Sequence, residues 1–97
     1  MAPESEFDEV VLFDLPVAHA DSLRIRLQLT RLAWLVRIDD GLFVAVALRV
    51  EPGDLARLLR DVEAWLADVH LPYVTFFLDG REYELREPAD ALAVGAA

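Results

Sequence analysis

A chain of 97 residues is long enough for one small domain, and its 56% hydrophobic content provides ample apolar material for a core. Nine arginines and no lysine stand against eighteen acidic residues, and this net charge of −9 argues against nucleic acid and anionic membrane surfaces as partners. The absence of cysteine excludes disulfides, thiolate metal sites and cysteine nucleophiles.

The two ends of the chain differ in composition from the part between them. Residues 1–8 are acidic and 87–97 are rich in small residues, so we expect flexible segments flanking a single domain over 9–86. The first ten residues lack the basic and apolar regions of a signal peptide, and no apolar run reaches the roughly 18 residues of a membrane span. We therefore expect a soluble cytoplasmic protein.

The first element in chain order is a short buried strand over 9–15, which Pro16 ends. The stretch after it has two interpretations. Residues 22–30 alternate polar and apolar side chains as a strand does, but the phase breaks at Thr30–Arg31, where one long strand would need a bulge. A helix over roughly 18–30 needs no bulge, and Asp21 and Ser22 could open it. We favour the helix and keep the bent strand as the alternative.

The remaining elements are easier to assign. The segment AWLVRI-DDG-LFVAVALRV predicts a hairpin whose Asp-Gly turn supplies the residue that tolerates positive φ. Leucine, valine and tryptophan then recur at helical spacing from Leu55 to Val69, with Pro52 suited to the first turn and Pro72 preventing extension. A second hairpin, YVTFFL-DG-REYEL, closes the pattern.

This order predicts an α+β fold of the ferredoxin-like βαββαβ plait type, with an antiparallel sheet, two helices on one face and a short extra C-terminal strand. The alternative is a curved antiparallel sheet that contains one long bent strand and packs on a single helix.

The predicted strands are apolar on both faces, although the helices of such a plait cover only one face of the sheet. An exposed apolar face of this breadth is typical of an interface, so we expect a homodimer that packs sheet on sheet. The candidate interface residues are Val11, Phe13, Phe43, Ala45 and Ala47. A predicted helix over 18–30 would also have a second apolar stripe formed by Ala18, Ile25, Leu29 and Leu32.

Residues that could support catalysis or metal binding are present but scattered. His19 and His70 show no metal-ligand spacing, and they are assigned to a loop and to a helix end. The serines and threonines lie in no nucleophile motif, and the four glycines form no phosphate-binding loop. Trp34 and Trp65 occupy positions typical of a core. We therefore expect no enzyme activity, no metal and no cofactor.

The segments FDLPVAHADSLRIRLQLTRLAWLVRI, LFVAVALRV and DLARLLRDVEAWL together resemble the layout of ACT-like small regulatory domains over about residues 9–78. The resemblance implies a non-catalytic, dimerising domain that binds a small effector near the first strand–helix loop. It places Asp14, Pro16 and Val17 on that loop, although Val17 stands where the family pattern has glycine. The alternative function is a protein–protein interaction or assembly module without a small ligand.

Overall fold

The computed structural model describes residues 7–86, which form five strands and two helices. Of the segments predicted to be flexible, residues 1–6 and 87–97 lie outside the described residues, whereas Phe7 and Asp8, which were predicted to belong to the first of them, are part of β1. In chain order the elements are β1 (Phe7–Asp14), α1 (Val17–Gln28), β2 (Ala33–Ile38), β3 (Gly41–Arg49), α2 (Asp54–Val69), β4 (Tyr73–Leu78) and β5 (Arg81–Arg86).

The five strands form one open sheet in the order β2-β3-β1-β4-β5, and every neighbouring pair is antiparallel. The predicted α+β class is therefore confirmed, and the alternative with one long bent strand and a single helix is wrong. The order differs from that of a plain four-stranded ferredoxin-like plait, because β5 extends the sheet beyond β4.

The stretch that the sequence left ambiguous is helical over Val17–Gln28. The helix begins after Pro16, four residues before the predicted opening at Asp21, so Asp21 and Ser22 lie inside it. Asp21 instead pairs with Arg24 one turn along the helix, and the Ser22 hydroxyl accepts a 3.0 Å hydrogen bond from the Trp65 indole. Ser22 therefore connects α1 to α2 through this hydrogen bond and does not cap the helix.

The second helix is bounded by two residues with positive φ. Gly53 (φ 85°) precedes it, and His70 (φ 60°) follows it in the left-handed conformation that commonly ends helices. Pro52 lies two residues before the helix rather than in its first turn. The Leu71 amide donates to the Leu66 carbonyl at 3.0 Å, which completes the helix end before β4 begins.

The two hairpin turns differ in detail. The β4–β5 turn is Asp79–Gly80, and both residues have positive φ, as the Asp-Gly motif predicts. The β2–β3 turn is Asp39–Asp40, since Gly41 already belongs to β3 and the positive φ (54°) falls on Asp39. The predicted Asp-Gly turn is therefore wrong at this hairpin. Aspartate tolerates the left-handed conformation better than most residues do, which explains how the turn forms without glycine.

One face of the sheet packs against both helices and contains the core. The core combines Val11, Phe13 and Leu15 of β1 with apolar residues of α1, α2 and the other strands. It comprises Val11, Phe13, Leu15, Ala20, Leu23, Leu27, Ala33, Val44, Val46, Leu48, Leu58, Val62, Trp65, Leu66, Val74, Phe76 and Leu85. The opposite side of the sheet, which no described helix covers, is called the open face below.

Candidate functional site

The open face is apolar across most of its width. Because directly opposed residues of antiparallel strands share a face, the register defines two rows of side chains that cross all five strands. The first row is Trp34, Ala45, Leu12, Phe77 and Glu82, and the second is Val36, Phe43, Asp14, Thr75 and Glu84. Within these rows the charged residues lie on β5 or at the end of β1, so the centre of the face has no charge.

A shallow apolar groove crosses the open face near its middle. It has a volume of about 300 Å³ and is lined by Val10, Leu12, Phe43 and Phe77, with Asp79 and Gly80 at one end. The Phe43 and Phe77 rings meet edge to face with their centroids 6.1 Å apart. Val10 is 44% exposed, so the groove presents apolar surface that the described part of the chain does not cover.

The predicted interface residues occupy three different environments. Phe43 lies half-buried on the open face, as expected. Ala45 and Ala47 lie on the same face, but larger neighbours cover them: Trp34 and Leu12 lie directly opposite Ala45, which is 1% exposed. Leu12, Val36 and Phe77 therefore present the apolar surface that we assigned to the alanines.

The assignment of Val11 and Phe13 to the interface is wrong. Both lie on the helix-covered side of β1 and are fully buried in the core, where Phe13 packs on Phe76 with ring centroids 5.5 Å apart. They have no surface with which to contact a partner. Alternation along β1 separates two faces but does not say which of them the helices cover, and this is why Val11 and Phe13 were assigned to the wrong side.

The two tryptophans also differ from each other. Trp65 is 2% exposed in the core, as the helical spacing predicts. Trp34 is 37% exposed on the open face near the outer edge of the sheet, so its assignment to a core position is wrong. A partly exposed tryptophan beside an apolar groove is a feature that protein interfaces favour.

A second apolar surface lies on the outer side of α1. The second stripe predicted for this helix is present, with Ile25 53% and Leu29 78% exposed, and Leu32 beyond the helix end is also exposed. Ala18 is exposed on the same helix. Ala18, Ile25 and Leu29 are separated from the open face by the sheet itself, whereas Leu32 lies opposite Ala47 at the edge of the sheet.

The residues assigned to ligand binding do meet in one place. Asp14, Pro16 and Val17 line a cleft of about 620 Å³ at the end of β1, together with Arg37, Asp40 and other residues of the β2–β3 turn and the start of β4. The cleft thus brings two carboxylates and one guanidinium to the start of α1. The first backbone amides of a helix have no hydrogen-bond partner within the helix.

A further cleft of about 600 Å³ lies at the start of α2 and is lined by Arg31 and Asp54 among other residues. These two side chains form a buried ion pair that the sequence did not reveal. Arg31 and Asp54 approach to 3.2 Å, and their side chains are only 7% and 5% exposed. Asp54 also accepts a 2.9 Å hydrogen bond from the Arg49 amide. Because these contacts connect the α1–β2 loop, β3 and α2, we assign the pair a structural role.

The two histidines belong to different parts of the fold. His19 lies against the edge of the Trp65 ring, with ring centroids 6.3 Å apart, and His70 ends α2. Among the residues that the structure describes, no three or more histidine, aspartate and glutamate side chains are grouped closely enough to hold a metal ion. Over the same residues, neither helix has the length and apolar character needed to cross a bilayer.

Comparison with protein-family models, with curated proteins and with solved structures found no match. The proposed function therefore rests on the geometry of the described residues.

Proposed function

We propose that this chain is a non-catalytic homodimeric module of the ferredoxin-like α/β-plait type, in which the open faces of two copies pack together. The observation that carries the proposal is the uncharged apolar centre of the open face, with its groove between Val10, Leu12, Phe43 and Phe77. The antiparallel order β2-β3-β1-β4, to which β5 is added, supports the plait type, and the two helices leave one sheet face for a partner. The resemblance to ACT-like domains is part of the same proposal.

A second copy is the occupant that this face fits best. A two-fold axis would bring each groove against the other, and each large side chain removed from water contributes about 1.5–3 kcal/mol before the costs of association are subtracted. The net charge of −9 opposes this contact, but Asp14 lies at the end of β1, Asp79 at one end of the groove, and Glu82 and Glu84 on the outer strand β5, where salt screens them. The apolar contribution therefore dominates.

Substitution of Val10 by aspartate tests the open face directly. Val10 is 44% exposed, so the variant is expected to fold, while the two-fold axis between the open faces places two new charges in a desolvated interface. Like charges in an interface cost several kcal/mol, which corresponds to association weakened by ~100-fold or more. Sedimentation equilibrium measures the dissociation constants of the unsubstituted chain and of the variant, which are then compared. Phe43→Asp, on the neighbouring strand β3, is expected to have the same effect.

Leu29→Asp is the matched control, because it adds the same charge to an apolar residue that is 78% exposed on the outer side of α1. We expect it to leave association unchanged. If Leu29→Asp separates the copies and Val10→Asp does not, the interface lies on α1 and the proposal is wrong.

Binding of a small effector is the second candidate function, and the cleft lined by Asp14, Pro16 and Val17 is the observation that favours it. Its two carboxylates and Arg37 suit a small polar ligand that carries both signs of charge. A screen of amino acids and nucleotides by thermal shift tests this idea, since a ligand that binds the folded chain raises the unfolding temperature once its concentration exceeds its dissociation constant. A ligand whose stabilisation survives Asp14→Ala and Arg37→Ala together would bind elsewhere.

A further inference from the structure

The two outer edges of the sheet present different side chains. β5, at one edge, has exposed charges at Arg81, Glu82, Glu84 and Arg86, and such charges prevent an edge strand from pairing with another chain. β2, at the other edge, reads AWLVRI, with Arg37 as its single charge and no proline. The β2 edge therefore lacks the protection that the β5 edge has.

The backbone of β2 is available along this edge. The Ala47 amide donates to the Leu32 carbonyl at 3.1 Å, which identifies residues 32 and 47 as a hydrogen-bonded pair. Such pairs alternate in antiparallel strands, so the amides and carbonyls of 34 and 36 face β3, while those of 33, 35 and 37 point outward. No strand within residues 7–86 pairs with these outward groups.

Apolar side chains accompany this unpaired backbone on both sides of the sheet. Trp34 and Ile38, on the open face, are 37% and 42% exposed. Leu35, on the helix-covered side, is 37% exposed although its neighbour across the ladder, Val44, is fully buried. Leu32, just before the strand, is 51% exposed. A partner strand would cover all four.

We propose that β2 of a second copy adds antiparallel to this edge, which joins two five-stranded sheets into one sheet of ten strands. The strand is complementary to itself when Leu35 lies opposite Leu35 of the partner subunit. Trp34 then faces Val36 of the partner subunit, and Leu32 faces Ile38 of the partner subunit. Arg37 faces Ala33 of the partner subunit, so no like charges are opposed. Aromatic and β-branched residues form favourable pairs across strands.

This edge contact is separate from the packing of open faces, but the assembly of four chains expected below rests on the proposed function because it needs both contacts. Antiparallel pairing of identical strands requires a two-fold axis perpendicular to the sheet, which keeps the helices of both copies on the same side. The open face stays available for the other contact. Two interfaces whose perpendicular two-fold axes intersect close into an assembly of four chains.

Replacing Arg37 with proline tests the edge contact with little change to the chain itself. Proline removes one outward-pointing amide and leaves the ladder between β2 and β3 intact. Arg37→Ala is the matched control, since it removes the same side chain and keeps the amide. By light scattering after size exclusion we expect four chains for the unsubstituted protein and for Arg37→Ala, and two chains for Arg37→Pro.

A second variant, Leu35→Lys, places two like charges opposite each other at the two-fold axis, and we expect it to give two chains as well. It decides the question if Arg37→Pro does not fold. If folded Arg37→Pro or Leu35→Lys has the same mass as the unsubstituted protein, the edge contact is wrong. The unsubstituted protein could also have a mass of two chains. If Arg37→Pro then reduces that mass to one chain and Val10→Asp does not, the result supports the edge contact and contradicts the packing of open faces.

Discussion

Replacing Asp54 with alanine is expected to lower the free energy of unfolding by about 3–5 kcal/mol, because it leaves the guanidinium of Arg31 buried without its counter-charge. The Arg31 side chain is 7% exposed, and its Nε already has no hydrogen-bond partner among the described residues. The Arg49 amide would also lose the carboxylate oxygen that accepts from it at 2.9 Å. Urea denaturation followed by far-ultraviolet circular dichroism measures the loss.

Glu51→Ala is the control for this substitution. Glu51 pairs with Arg57 at 2.7 Å near the same end of α2, but both side chains are about half exposed, so the pair contributes roughly 0–1 kcal/mol. The double variant Arg31→Met, Asp54→Leu removes both charges at once and should recover much of the lost stability. An Asp54→Ala protein as stable as Glu51→Ala would show that water reaches Arg31 and that the pair has no structural role.

Replacing Phe13 with alanine is expected to lower the free energy of unfolding by about 3–5 kcal/mol, because the cavity forms where the sheet meets both helices. Phe13 is fully buried and packs on Phe76. The matched control is Phe77→Ala, one residue along β4 from Phe76 and on the open face, where the ring is half-buried.

Both variants are compared by urea denaturation in the Val10→Asp, Leu35→Lys background, in which neither the open face nor the β2 edge is expected to associate, so that self-association does not contribute to the measured stability. We expect the loss for Phe77→Ala to be well below that for Phe13→Ala. The opposite ranking would mean that the core lies on the other face of the sheet.

The local signals in the sequence predicted most of the elements and few of their mutual positions. Helical spacing from Leu55 onward and the turn at Asp79–Gly80 each have a local physical cause, and both are present in the structure. The ambiguous stretch was decided by packing, since Leu23 and Leu27 are buried on α1 while its outer side remains apolar and exposed. Local propensity alone could not distinguish the two interpretations there.

For the candidate site too, the sequence indicated local features but not the contacts between distant residues. Alternation along β1 and β3 indicated two apolar faces, but the assignment of Val11 to the open face failed because it depends on where the helices lie. Arg31 and Asp54 are 23 residues apart, and neither neighbourhood in the sequence suggests that they meet in a buried pair. The cleft residues Asp14, Pro16 and Val17 were found together because they are adjacent in one loop.

The central claim is that the open face of the sheet is covered by a second copy of the chain. The molar mass of the unsubstituted full-length chain, measured by light scattering after size exclusion at low micromolar concentration and 0.15 M salt, tests it most directly. We predict a mass of at least two chains, which falls when Val10 is replaced by aspartate and stays unchanged with Leu29→Asp. A mass of one chain under these conditions would contradict the claim.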